Sequence, residues 1–106
     1  METLERTVKI EGETEVYTLD FTVEAVAKAE DKLKSGSILM TLAAPPYSMS
    51  DTLALLEGAL HYSNKKATIA AYSDIMEKNN LGELQTALIE ALKLSGVLGQ
   101  AKKAKN

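Results

Sequence analysis

The hydrophobic period of this chain changes abruptly at residue 22, and that change limits the fold more than any other feature of the sequence. Before it, apolar residues alternate with polar ones on both sides of a glycine turn, which is typical of two strands that each bury one face. After it, Val26, Ala29 and Leu33 follow helical spacing. The sequence therefore predicts a β-hairpin, over about residues 5–10 and 14–21, that leads directly into a helix. The alternating apolar residues are Val8, Ile10, Tyr17, Leu19 and Phe21.

The first helix is predicted to run from Val23 to about Ser35, because Thr22 suits the N-cap and Gly36 suits the C′ position. An apolar run follows over residues 37–44. A third strand and a short buried helix both fit a run of this length, and the two alanines that close it favour the short helix.

The next helix opens at Ser48, where Ser48 and Asp51 have the spacing of a capping box. Its apolar stripe consists of Met49, Leu53, Leu56 and Leu60. The cations Lys65 and Lys66 suit its C-terminal end, where they complement exposed carbonyl groups. These signals predict a helix that starts after Ser48 and ends before Lys66.

Two more helices complete the chain. Thr68 is predicted to cap the first of them, Ile69 to Lys78, which would bury Tyr72, Ile75 and Met76. Asn80 and Glu83 form a second capping-box pattern, and the last helix is predicted from Leu81 to about Leu98.

The predicted fold class is therefore α+β: a mainly helical domain of about four helices with an N-terminal two-stranded β-hairpin. Residues 1–98 are expected to form a single domain, and residues 99–106 a disordered basic tail. The residues expected to be largely buried are Leu19, Phe21, Val26, Leu33, Leu53, Leu56, Leu60, Ile75 and Leu88.

The charge balance argues against nucleic acid as a partner. The chain carries 12 basic and 15 acidic residues, for a net charge of −3. Three of the lysines lie in the tail. The rest of the chain therefore has 9 basic residues (12 − 3) and 15 acidic ones, which gives it a net charge of −6. Nucleic-acid binding needs clustered cations that displace counterions. No apolar run approaches the roughly 18 residues of a membrane span, so we expect no membrane partner. The first residues have neither the basic start nor the apolar core of a signal peptide, so none is expected, and the absence of cysteine favours a reducing cytoplasm.

The sequence offers little equipment for catalysis. His61 is the only histidine, and no recognisable motif supplies it with an orienting acid and a nucleophile. The alternating Glu11, Glu13 and Glu15 fit a solvated acidic strand face better than a metal site. The glycines do not have the spacing of a phosphate-binding loop. We therefore expect a protein that is not an enzyme, with no catalytic residues, no cofactor and no metal.

The order of these segments resembles the tail assembly chaperones of long-tailed bacteriophages. The likeness covers about residues 8–98 and rests on three segments taken together. The first segment is Glu11-Gly12, followed by Tyr17-x-Leu19-x-Phe21-Thr22-x-x-Ala25 and by Glu30. The second is the helix Leu55-Leu56-Glu57-Gly58-Ala59-Leu60. The third is the closing run from Leu88 to Gly96.

The resemblance implies a function and a set of partners. Proteins of this family bind the long, hydrophobic tape measure protein and keep it soluble until the tail tube assembles. They act in the host bacterial cytoplasm and are absent from the mature virion. The further partners that the resemblance implies are the tail tube protein, a frameshifted longer form of the chain, and other copies of the chain in a homo-oligomer.

The last helix is the candidate partner-binding surface, because its leucines spread beyond a single stripe. They are Leu81, Leu84, Leu88, Leu92 and Leu94. The alternative is that these leucines belong to the core, as leucines at helical spacing usually do.

Two other function classes remain open at this point. One is a small structural virion protein such as a head–tail connector, which would stay in the purified particle. The other is a cellular protein-interaction module unrelated to phage. A lipid-carrying or acyl-carrying helical bundle is a more distant alternative, since the attachment-serine motif is absent.

Overall fold

The first elements of the structure form the β-hairpin that the alternating pattern predicts. The structure is a computed structural model, which describes residues 7–60 and 67–96. Strand β1, Thr7–Glu11, pairs antiparallel with strand β2, Val16–Asp20, and this pairing places Val8 opposite Leu19. Ile10 lies opposite Tyr17, and both are buried with Leu19. The hairpin therefore has one inner face, and the prediction of a two-stranded ribbon is confirmed.

The hairpin turn depends on the small size of Gly12. The Gly12 N–H donates to the Glu15 carbonyl at 2.7 Å. A Cβ atom at Gly12 would lie 2.7 Å from Cε1 of Tyr17 and would collide with the Asp74 carboxylate. Any side chain at this position would therefore force the turn away from the helix that carries Asp74.

Helix α1, Val23–Lys32, starts as predicted and ends earlier. The Thr22 hydroxyl accepts a hydrogen bond from the Ala25 N–H at 3.0 Å, which confirms Thr22 as the N-cap. The predicted end at Ser35 is wrong. Leu33 has an extended backbone that carries its side chain into the core, and the left-handed Gly36 (φ 76°) belongs to the turn that follows.

Two short helices follow on either side of the proline pair. Helix α2 covers Ile38–Leu42 and is capped by the Ser37 hydroxyl, so the helical interpretation of the apolar run is confirmed. Helix α3 covers Met49–Ala59, and the Ser48 hydroxyl accepts from the Asp51 N–H at 3.0 Å. The Asp51 carboxylate accepts from the Lys34 N–H instead of returning to Ser48, so only half of the predicted capping box forms.

The last two helices are α4, Thr68–Met76, and α5, Leu81–Ser95. Thr68 is the first residue of α4 and does not cap it, since the N-cap is Ala67, which has no side-chain acceptor. The second capping box is complete: Asn80 and Glu83 exchange two hydrogen bonds of 2.8 Å each. The structure describes five helices in these ranges, where about four were expected. The additional one is the short α2.

Some predictions fall on residues outside the described ranges. These are His61, the basic pair Lys65-Lys66, the end of the last helix near Leu98, and the basic tail over residues 99–106.

Helix α3 lies at the centre of the core and contacts α1, α4, α5 and β2. Its one buried hydroxyl is satisfied: Thr52 Oγ1 donates to the Ser48 carbonyl at 2.9 Å and accepts from Gln85 Nε2 of α5 at 3.0 Å.

Seven of the nine residues expected in the core are buried, and Val26 and Leu53 are partly exposed. The seven are Leu19, Phe21, Leu33, Leu56, Leu60, Ile75 and Leu88.

Helices α1 and α3 approach each other closely through small side chains. A Cβ atom at Gly58 would lie 2.7 Å from the Ala25 carbonyl oxygen and 2.9 Å from the Ala29 Cβ. Ala25 and Ala29 are themselves buried. The absence of a side chain at Gly58 therefore sets the distance between these two helices.

Helix α4 is tied to the hairpin turn by Asp74. Its carboxylate accepts hydrogen bonds from the Thr14 N–H at 3.0 Å, the Thr14 hydroxyl at 2.9 Å and the Tyr17 hydroxyl at 2.7 Å. The Glu13 N–H donates to the Asp74 carbonyl at 3.0 Å. One acidic residue thus joins the outer helix to the first supersecondary element of the chain.

Truncation of Leu56 to alanine is expected to destabilise the protein by about 2–5 kcal/mol, because the side chain is fully buried in α3 and a cavity would remain. Chemical denaturation measures this loss. The control is Ile69→Ala, at a side chain that is 62% exposed, where we expect little change. An equal effect of both substitutions would remove α3 from the core.

The Gly58→Ala substitution is expected to destabilise the fold by about 1–3 kcal/mol, because the new methyl group meets the α1 backbone. Gly82→Ala on α5 is the matched control. Its Cβ would meet only the Asn80 side chain, at 3.4 Å, so the helix propensity of alanine should leave stability unchanged or slightly higher. Thermal unfolding of the two variants compares them directly. A stable Gly58→Ala protein would contradict the close approach of α1 and α3.

Candidate partner-binding surface

The five leucines of α5 that sequence analysis selected do not form one exposed face. Leu84, Leu88 and Leu92 are fully buried in the core. Leu81 is partly buried, and Leu94 is 40% exposed. The core interpretation therefore describes three of the five. Only Leu81 and Leu94 remain accessible to a partner without unfolding of α5.

Helix α2 packs two of its four large apolar side chains, Ile38 and Leu42, against the core and leaves the other two exposed. It buries Ile38 and the polar Thr41, which is 6% exposed, while Leu39 is 60% exposed and Met40 is 64% exposed. A surface helix normally turns its large apolar side chains inwards and its polar ones outwards. Here the free energy available from burying a leucine and a methionine is not used by the fold. The outer face of α2 is therefore the strongest candidate for a partner-binding surface among the described residues.

Polar contacts hold α2 in place together with the packing of Ile38 and Leu42 against the core. The Glu30 carboxylate of α1 accepts from the Ile38 N–H at 2.8 Å. The Thr41 hydroxyl shares a hydrogen bond of 2.9 Å with the Ser35 hydroxyl, and the Tyr47 hydroxyl donates to the Leu42 carbonyl at 3.2 Å. The Asp51 carboxylate fixes the preceding loop at the Lys34 N–H. These bonds fix which side of α2 faces solvent.

The exposed apolar surface continues beyond α2. Ala43 and Ala44, one turn after Leu39 and Met40, are exposed, as are both prolines that follow. Met49, in the first turn of α3, is 44% exposed. We call the outer residues of α2 and its end the α2 face: Leu39, Met40, Ala43 and Ala44.

A sequence signal for this surface exists, although sequence reasoning missed it. From Ser35 to Ser50 the chain has sixteen consecutive residues without a charge, in a protein whose residues are 25% charged. Sequence analysis assigned the apolar run within this stretch to a buried helix. An uncharged stretch is equally suited to an exposed surface that a partner covers, and the structure distinguishes the two because it shows which side chains face outwards.

The other exposed large apolar residues are isolated from one another in the fold. Val16 lies at the start of β2, Val23 at the start of α1, and Ile69 at the start of α4. Single exposed apolar residues are common on protein surfaces and need no partner. They supply controls for the α2 face.

The carboxylates of the described residues enter structural contacts in several places. Glu57 of α3 lies 3.9 Å from Lys28 and 3.7 Å from Lys32 of α1. Glu11 lies 3.8 Å from Lys78.

Within residues 7–60 and 67–96, no three histidine, aspartate or glutamate side chains are grouped so that they would hold a metal ion. In the same ranges, no helix is long and apolar enough to cross a membrane.

Comparison with protein-family models, with curated proteins and with solved structures finds no match to this chain.

Replacement of Leu39 and Met40 together by glutamine is expected to change the free energy of unfolding by less than about 0.5 kcal/mol, because both side chains already face solvent. The matched control is Ile38→Gln in the same helix, which places an amide in the core and should cost about 2 kcal/mol or more. Urea denaturation measures both. A large loss in the double variant would show that the α2 face belongs to the fold.

Proposed function

We propose that this protein is a non-enzymatic phage tail assembly chaperone that binds the hydrophobic tape measure protein and keeps it soluble until the tail tube assembles. On this proposal it acts in the host bacterial cytoplasm and is absent from the mature virion. The observation that carries the proposal is the outward-facing apolar surface of α2, with Leu39 and Met40 each more than half exposed. The segment order that resembles the chaperone family supports it.

The α2 face suits a hydrophobic helix as its partner. Leu39 and the C-cap residue Ala43 lie one helical turn apart, and Ala44 follows directly after the helix end. The small alanines beside the larger Leu39 and Met40 leave room for the ridge of a second helix. Methionine adapts its shape to varied apolar surfaces, which suits a partner with a long and irregular apolar sequence.

The small size of the α2 face implies that several copies bind along one partner chain. Helix α2 has five residues, so the apolar area that one copy covers is well below that of a stable protein–protein interface. Apolar burial contributes roughly 25 cal/mol per Å² before the cost of ordering is subtracted. Such weak contacts add up through avidity when the copies are joined to one another, as in the homo-oligomer that the family resemblance implies.

The charge distribution fits a solubilising role. The α2 face has no charge, while the whole chain carries a net charge of −3. A partner segment covered by several copies would present acidic surfaces to water in place of its own apolar ones, and like charges would keep the complexes apart.

The test is co-expression with the large protein encoded directly downstream, followed by affinity purification at low and at high salt. We expect the two proteins to co-purify at both salt concentrations, because apolar contacts are not screened as charge contacts are. The yield of the soluble downstream protein should fall about tenfold with Leu39→Gln and Met40→Gln. Val23→Gln and Ile69→Gln form the control pair, since they remove two apolar side chains that are also more than half exposed but lie on other elements.

Two results would contradict the proposal. If the downstream protein is equally soluble alone and never co-purifies, the protein is not its chaperone. If mass spectrometry finds the protein in purified virions, the head–tail connector alternative replaces it.

A further inference from the structure

A groove lies between Val8 of β1 and the exposed face of α5. Its volume is about 540 Å³, and it is lined by Val8 of β1 and by residues of α5 but by no described residue of β2. The α5 residues include Glu83, Thr86, Ala87 and Glu90, which share one face of the helix through their spacing of three and four. The groove is therefore bordered by a strand on one side and a helix face on the other.

The strand beside the groove has an unpaired edge in the described part of the fold. The sheet has two strands, and β1 pairs with β2 alone there. Lysine side chains often protect such edges from further pairing. Lys9, in the middle of β1, instead extends across the hairpin, where its Nζ donates to Thr18 Oγ1 of β2 at 3.3 Å. Asn79 Nδ2 already donates to the Glu11 carbonyl at 2.6 Å. An added strand would therefore pair with the part of β1 that precedes Glu11.

The charge of the groove selects the kind of strand that fits. Glu83 and Glu90 are exposed, and none of the described residues that line the groove is basic. Between the two carboxylates the floor is small and mostly apolar, formed by Val8, Thr86 and Ala87. This surface complements a segment with an apolar side chain between two cationic ones.

We propose that this groove binds an extended, basic peptide segment, which adds a third strand to the free edge of β1. Glu83 and Glu90 are seven residues apart on α5, roughly 10 Å along the helix axis. In an extended peptide, residues i and i+4 lie roughly 13 Å apart on one face, with residue i+2 between them. Flexible lysine or arginine side chains span the difference. The ligand pattern is therefore basic-x-apolar-x-basic, in a partner protein.

A second copy of this chain does not fit that pattern. Lys28 and Lys32 are the one pair of basic residues four apart in the sequence, and the residue midway between them is Glu30. Pairing of two β1 strands about a two-fold axis would also bring the acidic groove faces of both copies together. The occupant is therefore a different chain, and this inference stands independently of the proposed chaperone function.

The test is an NMR titration of the ¹⁵N-labelled full chain with the capped peptide Thr-Lys-Thr-Val-Thr-Lys-Thr. We expect shifts of amide signals confined to Thr7–Glu11 and to the Glu83–Glu90 face of α5. The affinity should fall about tenfold with the double variant Glu83→Gln and Glu90→Gln, as two exposed ion pairs are lost. Glutamine at position 83 preserves the capping box, so α5 should stay folded.

Three controls make the result decisive. Glu24→Gln with Asp31→Asn removes the same charge from exposed positions of α1 and should leave binding unchanged. A peptide with glutamate in place of lysine should not bind. A peptide that is N-methylated on the residues facing β1 should lose binding, because its backbone can no longer pair with the strand edge. Shifts scattered over the whole acidic surface, or equal losses in both double variants, would overturn the proposal.

Discussion

The close approach of α1 and α3 at Gly58 is the contact on which the rest of the structure depends. Because Gly58 has no side chain, α3 packs directly on Ala25 and Ala29 of α1. Helix α3 can then contact α4, α5 and β2 with its remaining surface, and it buries residues on nearly every side: Thr52, Ala54, Leu55, Leu56, Gly58 and Ala59. A larger residue at position 58 would separate the two helices and open the centre of the core.

This packing also determines how the segment between α1 and α3 is presented. Once the two helices are docked, the connection has to leave the core and return within about fifteen residues, and α2 lies on that path. Hydrogen bonds with Glu30, Ser35 and Tyr47 hold it, together with the packing of Ile38 and Leu42 against the core. The outer face of α2 stays apolar and exposed, as the proposed chaperone function requires.

Most signals that act within a few residues predicted the structure well, although the cap expected at Thr68 does not form. Competition from distant residues explains two other failures. The alternation around Gly12 and the caps at Thr22, Ser48 and Asn80 are local, and each appears in the structure. The carboxylate of Asp51 left its capping box because the Lys34 N–H, seventeen residues away, offered a bond. Helix α1 ended early because Leu33 turned into the core. The leucines of α5 could not be divided between core and surface by spacing alone, since that division depends on how the hairpin covers the helix.

Hydrogen exchange measured on the protein alone and mixed with the proposed tape measure partner tests the central claim most directly. If that partner binds the α2 face, amide exchange should slow over residues 37–49 in the complex, while the exchange of the buried part of α5 changes little. Slowed exchange confined to α5, with residues 37–49 exchanging equally in both samples, would contradict the account. It would show that the outward-facing Leu39 and Met40 have no part in binding.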